Sequence, residues 1–177
     1  LEYQLPPDEI LDLADVKMPP AVYMNDKGDY AVLMYRNQFK TIAELSEQEL
    51  RLGGLRINPV TNISSRERFT NKISVLDIKK GQETDINGLP DNPRLSNFSW
   101  SPGQEMMAFT NTTAKGVELW VLDIKKAKVN KLTDENLNAN LGRPYTWFRD
   151  GNSLLVKVLP KDKKPLIDEL NAVPTGP

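Results

Sequence analysis

Histidine is missing from all 177 residues. With it goes the usual general base and the commonest metal ligand, because no other side chain has an unperturbed pKa so close to neutrality. Taken alone, the chain holds no Ser-His-Asp triad. Cysteine is missing too, which excludes disulfides, thiolate metal sites and cysteine nucleophiles while leaving the redox compartment open. No apolar run approaches the roughly 20 residues that cross a bilayer, and the amino terminus has neither a basic segment nor a hydrophobic signal core. Leu1 stands where an initiator methionine would be, so a cleavage or boundary ahead of it is expected. A surplus of charge is lacking as well: 23 Lys and Arg against 24 Asp and Glu give a net charge of -1. That leaves no basic field to collect counterion-release energy from a nucleic acid. The chain also lacks Gly-x-Ser-x-Gly, the phosphate-cradling Gly-x-x-x-x-Gly-Lys and Gly-x-Gly-x-x-Gly. From these absences no catalytic, cofactor-binding or metal-ligating residue is expected here, and no cofactor.

What is present is periodic. Val-Leu-Asp-Ile-Lys-Lys occurs at Val75 to Lys80 and again at Val121 to Lys126, 46 residues later. Trp100-Ser101-Pro102-Gly103 and Trp147-Phe148-Arg149-Asp150-Gly151 each precede a short apolar run, with the tryptophans 47 residues apart. Two markers thus give one period. A repeat of about 45 residues with turn residues between short alternating strands is what one four-stranded blade of a β-propeller needs. The apolar fraction of 39% and charged fraction of 27% suit a soluble globular domain with a sizeable core.

Along the chain, residues 1–20 read as a helical lead-in. Pro6-Pro7-Asp8-Glu9 places proline and acids in a first helical turn, Ile10, Leu11, Leu13 and Ala14 supply an apolar face, and Pro19-Pro20 ends it. Residues 21–159 read as a mainly β, partial propeller of about two and a half blades. Blade one, 21–88, begins with strand Ala21 to Met24, turn Asn25-Asp26-Lys27-Gly28 and strand Tyr30 to Tyr35. An insertion, 36–66, interrupts it. Thr41-Ile42-Ala43-Glu44 has capping-box spacing and predicts a helix through about Leu50. Gly53-Gly54 and the alternating Leu55 and Ile57 follow. The blade resumes with strands Arg68 to Ile78 and Glu83 to Ile86. Blade two, 96–133, has strands Asn97 to Ser101, Met106 to Asn111, Val117 to Ile124 and Lys128 to Leu132. A half blade, 144–159, offers Pro144 to Phe148 and Leu154 to Leu159. Residues 160–177 read as linker or extended tail. Closed propellers have four or more blades, so an open stack of this size exposes blade faces and strand edges that invite association, including with a second copy.

Several stretches resemble the start of peptidases in the prolyl oligopeptidase family, nearest to the glutamyl endopeptidase subgroup of bacteria and plastids. They are Tyr3-Gln4-Leu5-Pro6-Pro7-Asp8-Glu9-Ile10, Ile42-Ala43-Glu44-Leu45, Glu49-Leu50-Arg51-Leu52-Gly53-Gly54-Leu55-Arg56-Ile57-Asn58-Pro59, Ser64-Ser65-Arg66, Phe98-Ser99-Trp100-Ser101 and Lys164-Pro165. The run from Glu49 to Pro59 is the specific part. The resemblance implies a parent serine peptidase whose amino-terminal propeller covers a carboxy-terminal α/β-hydrolase domain that carries the serine, acid and histidine. None of those motifs has a counterpart here, so no catalytic residue is carried over. On this reading the chain is a non-catalytic gate. Its partners are the remaining blades and the hydrolase domain, its parent's substrate is a peptide, and its location is periplasmic or secreted. The competing readings are a stand-alone peptide- or protein-binding module and a self-assembling interaction domain.

Individual residues carry a functional and a structural reading. Trp100 and Trp147 fit a peptide-binding aromatic pair, yet equivalent positions in successive blades favour inter-blade core. Asp77 and Asp123 suggest an acid pair or metal site, yet an aspartate before a turn commonly accepts from nearby backbone N–H groups, and blade symmetry holds the two apart. The Lys79-Lys80 and Lys125-Lys126 pairs read as a solvated edge. Asn62-Ile63-Ser64, Asn97-Phe98-Ser99 and Asn111-Thr112-Thr113 are formal glycosylation sequons, most simply chance. The insertion is the best functional candidate, since a long excursion from a repeat is often a binding or gating element. Its Arg51, Arg56 and Arg66 fit either a substrate carboxylate or salt bridges at a domain contact.

Overall fold

The computed structural model describes residues 4–14 and 18–162. The proposed tail from 163 onward, with Lys164-Pro165, and residue Tyr3 of the resembling stretch lie outside the described residues. Helix α1 (Asp8–Ala14) carries Asp8 and Glu9 in its first turn, where acids oppose the positive end of the helix dipole. Strands β1 (Ala21–Met24) and β2 (Tyr30–Tyr35) form a hairpin, after which the chain leaves the sheet. It forms the short helix α2 (Ile42–Leu45) and a small antiparallel sheet of β3 (Leu50–Leu52), β4 (Leu55–Asn58) and β5 (Ile63–Ser64). It returns as β6 (Lys72–Asp77) and β7 (Gln82–Asp85), completing a four-stranded sheet in the order β1-β2-β6-β7. The second four-stranded sheet is an uninterrupted meander of β8 (Leu95–Trp100), β9 (Met106–Thr112), β10 (Val117–Asp123) and β11 (Lys128–Lys131). A last hairpin joins β12 (Tyr145–Trp147) to β13 (Leu154–Val156). The protein is mainly β, its sheets open rather than closed into a ring, as in a partial propeller.

The repeated hexapeptide explains how the sheets stack. Tyr30 pairs with Asp77 and Met106 with Asp123, so the two sheets share one register around the motif. Side chains alternate across a strand. Val75 therefore joins the core between the first and second sheets, and Val121 joins the core between the second sheet and the last hairpin. Leu122, one residue on, points back into the first core. Each copy thus presents its valine to the following blade, and the second copy presents its leucine to the preceding one. Leu76 has no preceding blade among the described residues and stays half-buried.

Tight turns gather at one end of this stack and loops at the other. At the turn end the Asp26 amide donates to Gln104 Oε1 at 2.9 Å, and a Cβ on Gly151 would lie 3.7 Å from the Gly103 nitrogen. At the loop end the β9–β10 connection meets the segment after β11. There a Cβ on Gly116 would lie 2.1 Å from the Glu135 carbonyl oxygen, so only glycine admits the approach. Gly116→Ala is expected to cost about 1–3 kcal/mol, since backbone must move to relieve the overlap. A lower urea midpoint at unchanged m-value checks this.

Several expected boundaries shift. The capping box forms, with Thr41 Oγ1 accepting from the Glu44 amide at 3.2 Å and Glu44 Oε2 accepting from the Thr41 amide at 2.8 Å. The helix nevertheless stops at Leu45 and does not reach Leu50, because Leu50–Leu52 pairs with Leu55–Ile57 as a hairpin over Gly53-Gly54. The third strand of blade one starts at Lys72 rather than Arg68, because Thr70 leaves the sheet to bridge Leu95 of the second one.

Candidate functional site

The insertion is fastened to the blades at its base. Ile63 is buried in the second inter-blade core, and the Ala139 amide donates to the Asn62 carbonyl at 2.9 Å. Lys40 Nζ donates to the Ser65 carbonyl at 2.6 Å, tying the insertion's entry to its exit. Buried Asn58 orders the bend after β4: its Oδ1 accepts from the Val60 and Thr61 amides at 3.0 and 3.1 Å, and its Nδ2 donates to Glu47 Oε2 at 2.9 Å. The other oxygen of Glu47 accepts from Arg94 Nη1 at 2.7 Å. Arg94 arrives from the linker between the two four-stranded sheets, and its guanidinium lies 4.3 Å from the centre of the Phe69 ring. Glu47 and Arg94 therefore clamp the insertion to the frame.

Between insertion and frame runs a cleft. One part, about 370 Å³, is lined by Phe39, Leu45, Phe69, Pro93 and their neighbours. The adjoining part, about 560 Å³, is lined by the polar side of the insertion, and the two share Lys40, Glu44, Arg68 and Arg94. Six cations face this space, Lys40, Arg51, Arg56, Arg66, Arg68 and Arg94, against the carboxylates of Glu44, Glu47 and Glu49. The three acids are all engaged: Glu44 in the capping box, Glu47 by Arg94 and Asn58, and Glu49 by Arg51 at 2.9 Å and Arg56 at 3.0 Å. Burial pushes the Glu44 carboxyl up, but the hydrogen bonds from Thr41 outweigh it and the pKa falls below the usual range. The hydrogen bond from Arg51 lowers that of Glu49. Arg66 and Arg68 are exposed and have no ion pair among the described residues. The cleft keeps a positive balance suited to a carboxylate-bearing partner.

The arginines singled out in the sequence divide accordingly. Arg51 and Arg56 converge on Glu49, and Arg66 stands apart at the rim. Glu47 and Arg94 had no sequence signal, being 47 positions apart in separate irregular segments. Glu47→Ala strands Arg94 and Asn58 together, so a loss of about 1–3 kcal/mol is expected. Denaturant melts check the magnitude, and faster amide exchange across 42–58 locates it.

The remaining candidates are structural. Trp100 packs against the first core and edge-on to Tyr23 at 6.2 Å; Trp147 packs against the second and donates to the Ser99 carbonyl at 3.3 Å. Asp77 and Asp123 repeat one arrangement, each accepting from the amide three residues on at 3.1 Å and pairing with the lysine there at 3.0 and 2.8 Å. The pairing with Lys80 or Lys126 lowers both carboxyl pKa values. Asn62 and Asn111 are buried, and Asn97 Nδ2 donates to Ser96 Oγ and Thr110 Oγ1 at 3.2 and 3.0 Å.

One buried acid has a pH consequence. Burial raises the Glu118 pKa, but hydrogen bonds from Asn111 at 3.0 Å, Trp120 at 2.9 Å and Lys131 at 3.2 Å outweigh it, and the net shift is downward. A lowered carboxyl pKa contributes stability above the unfolded value, near 4.3, and loses it as pH falls through the folded value. Glu118→Gln is expected to be destabilising at pH 7 and to reduce the loss of stability between about pH 5 and 3, as read from melts across that range.

Fold and site together define a mainly β stack of propeller-type blades bearing a cationic cleft under a blade insertion. Among known proteins, the chain is 28% identical over 99% of its length to the probable chloroplastic glutamyl endopeptidase of Arabidopsis thaliana. It is 26% identical over 99% to the protein of the same name in Oryza sativa subsp. japonica. It spans only 19% and 20% of those relatives. A comparison with models of protein families finds no match. The names of these relatives point to a peptidase-related protein.

Proposed function

We propose that this chain is the amino-terminal propeller segment of a serine peptidase of the prolyl oligopeptidase family, in its glutamyl endopeptidase-like subgroup, acting in the periplasm or outside the cell. It has no catalytic group of its own and gates peptides on their way to an α/β-hydrolase domain encoded elsewhere in the parent protein. The carrying observation is similarity over 99% of the chain to glutamyl endopeptidases of which it spans a fifth. The open stack supports it, since Leu155 on the last hairpin is 63% exposed and suits a further blade.

The test compares the full-length gene product with the 177-residue chain. The full-length protein is expected to cleave peptides after glutamate and to be labelled by a serine-directed fluorophosphonate, and the chain alone to do neither. Hydrolysis by the chain alone, or no labelling of the full-length protein, overturns the reading. In isolation the exposed faces favour self-association, and a concentration-dependent mass in light scattering would show it.

A further inference from the structure

The insertion presents an apolar surface that nothing in the described chain covers. Helix α2 has no buried residue. Ile42 is 86% exposed and Leu45, one turn on, 70% exposed, while Phe39 just ahead of the helix is 73% exposed and lines the same cavity as Leu45. Side chains three apart on a helix are neighbours, so Ile42 and Leu45 form one ridge. A four-residue helix with an apolar ridge in water gains nothing from burial, which is what normally stabilises a short helix. Its capping box and the Glu47–Arg94 clamp hold it in place regardless. A ridge kept rigid and bare at the mouth of a cationic cleft has the features of half an interface: an apolar centre and a charged rim.

We infer that the ridge of Phe39, Ile42 and Leu45, with Arg66 and Arg68 at its rim, docks the remainder of the same polypeptide through an acidic surface bearing apolar side chains. Two observations select that occupant. The rim cations that have no ion pair among the described residues call for carboxylates, and four fifths of the length of the relatives lies outside this chain, so on the proposed reading a covalently linked partner is present at high effective concentration. The position fits: the insertion and the inter-sheet loops lie at one end of the stack, while at the tight turns of the opposite end Lys80, Lys125 and Lys126 are paired with Asp77, Glu105 and Asp123. On this placement the loop end meets the rest of the protein. This placement rests on the proposal that the chain belongs to a longer peptidase, and its test separates the two.

Amide exchange is measured on the full-length gene product and on the 177-residue chain. The amides of Leu45 and Ser46, which donate to the Thr41 and Ile42 carbonyls, are expected to exchange at least about tenfold more slowly in the full-length protein. Turn amides at 79–81 are expected to exchange alike in both. Ile42→Glu with Leu45→Glu, which alters only exposed side chains, should abolish the difference in the full-length protein, and Arg66→Glu with Arg68→Glu should reduce it. Equal exchange in the two proteins overturns the inference. Protection that appears only when a glutamate-containing peptide is added also overturns it, since that would assign the ridge to substrate. A full-length protein that protects these amides but cleaves nothing upholds the docking surface and sinks the peptidase reading; cleavage without protection does the reverse.

Discussion

Phe109→Ala is expected to cost about 3–5 kcal/mol, a large part of the 5–15 kcal/mol that holds an ordinary domain together. Phe109 is fully buried on the central strand β9, its ring stacked on Phe98 with centroids 5.6 Å apart. It lies in the core that joins the two four-stranded sheets, with Val32, Ile73 and Val75 from the first and Met107, Leu122 and Val129 from the second. Truncation removes the ring's transfer energy and opens a void at the junction, where the sheets close up only by sliding over one another. Each sheet keeps its own backbone ladder, so the variant should lose the contact between sheets before it loses the strands. Chemical denaturation gives the stability change. Near-ultraviolet dichroism should weaken more than far-ultraviolet dichroism, because Trp100 and Tyr23 report on the same junction. A loss below about 1 kcal/mol would mean that the sheets are not held by this core.

The period of the fold was legible because it is written twice. Val75 and Val121 head the same hexapeptide, and identical register puts them in successive inter-blade cores. Helix α1, the capping box and the tight turns follow from local chemistry: acids in a first turn, Thr41 with Glu44, Gly28 at φ +67 in the first hairpin. The insertion was legible as an interruption but not as a structure. Its three short strands have no alternation long enough to register, and its fastening runs through Ile63 to Ala139 and Glu47 to Arg94, pairs separated by tens of residues. The candidate site was half visible: the arginines stand out in the sequence, but which of them are neutralised depends on Glu49, whose partners only the β3–β4 hairpin brings together. The exposure of Ile42 and Leu45 could not be read at all, since apolar spacing on a helix predicts burial.

Tyr145 sets the attachment of the last hairpin, and two substitutions there separate its hydroxyl from its ring. Strand β8 breaks register between Ser96 and Ser99, with Asn97 at φ +56, and such a bulge leaves carbonyls outside the ladder. The Tyr145 hydroxyl fills the gap. It lies against the Asn97 carbonyl, reaches the Ala108 carbonyl at 2.8 Å and accepts from Ser99 Oγ at 3.1 Å. Burial drives its pKa above the ordinary value, so it remains a proton donor at neutral pH. Tyr145→Phe keeps the ring in the second core but leaves carbonyls of Asn97 and Ala108 without this donor, an expected loss of about 1–3 kcal/mol. Tyr145→Ala also empties the space between Ala108, Leu119 and Leu137, and about 3–5 kcal/mol is expected. The hairpin's own ladder is only three residue pairs long, too short to persist alone. Tyr145→Ala should therefore free β12 and β13 while β8–β11 holds, seen as exchange of the 145–156 amides rising to near the unprotected rate. Uniform loss of protection across the second sheet would show instead that hairpin and sheet unfold as one unit, and that the half blade is an integral part of its neighbour.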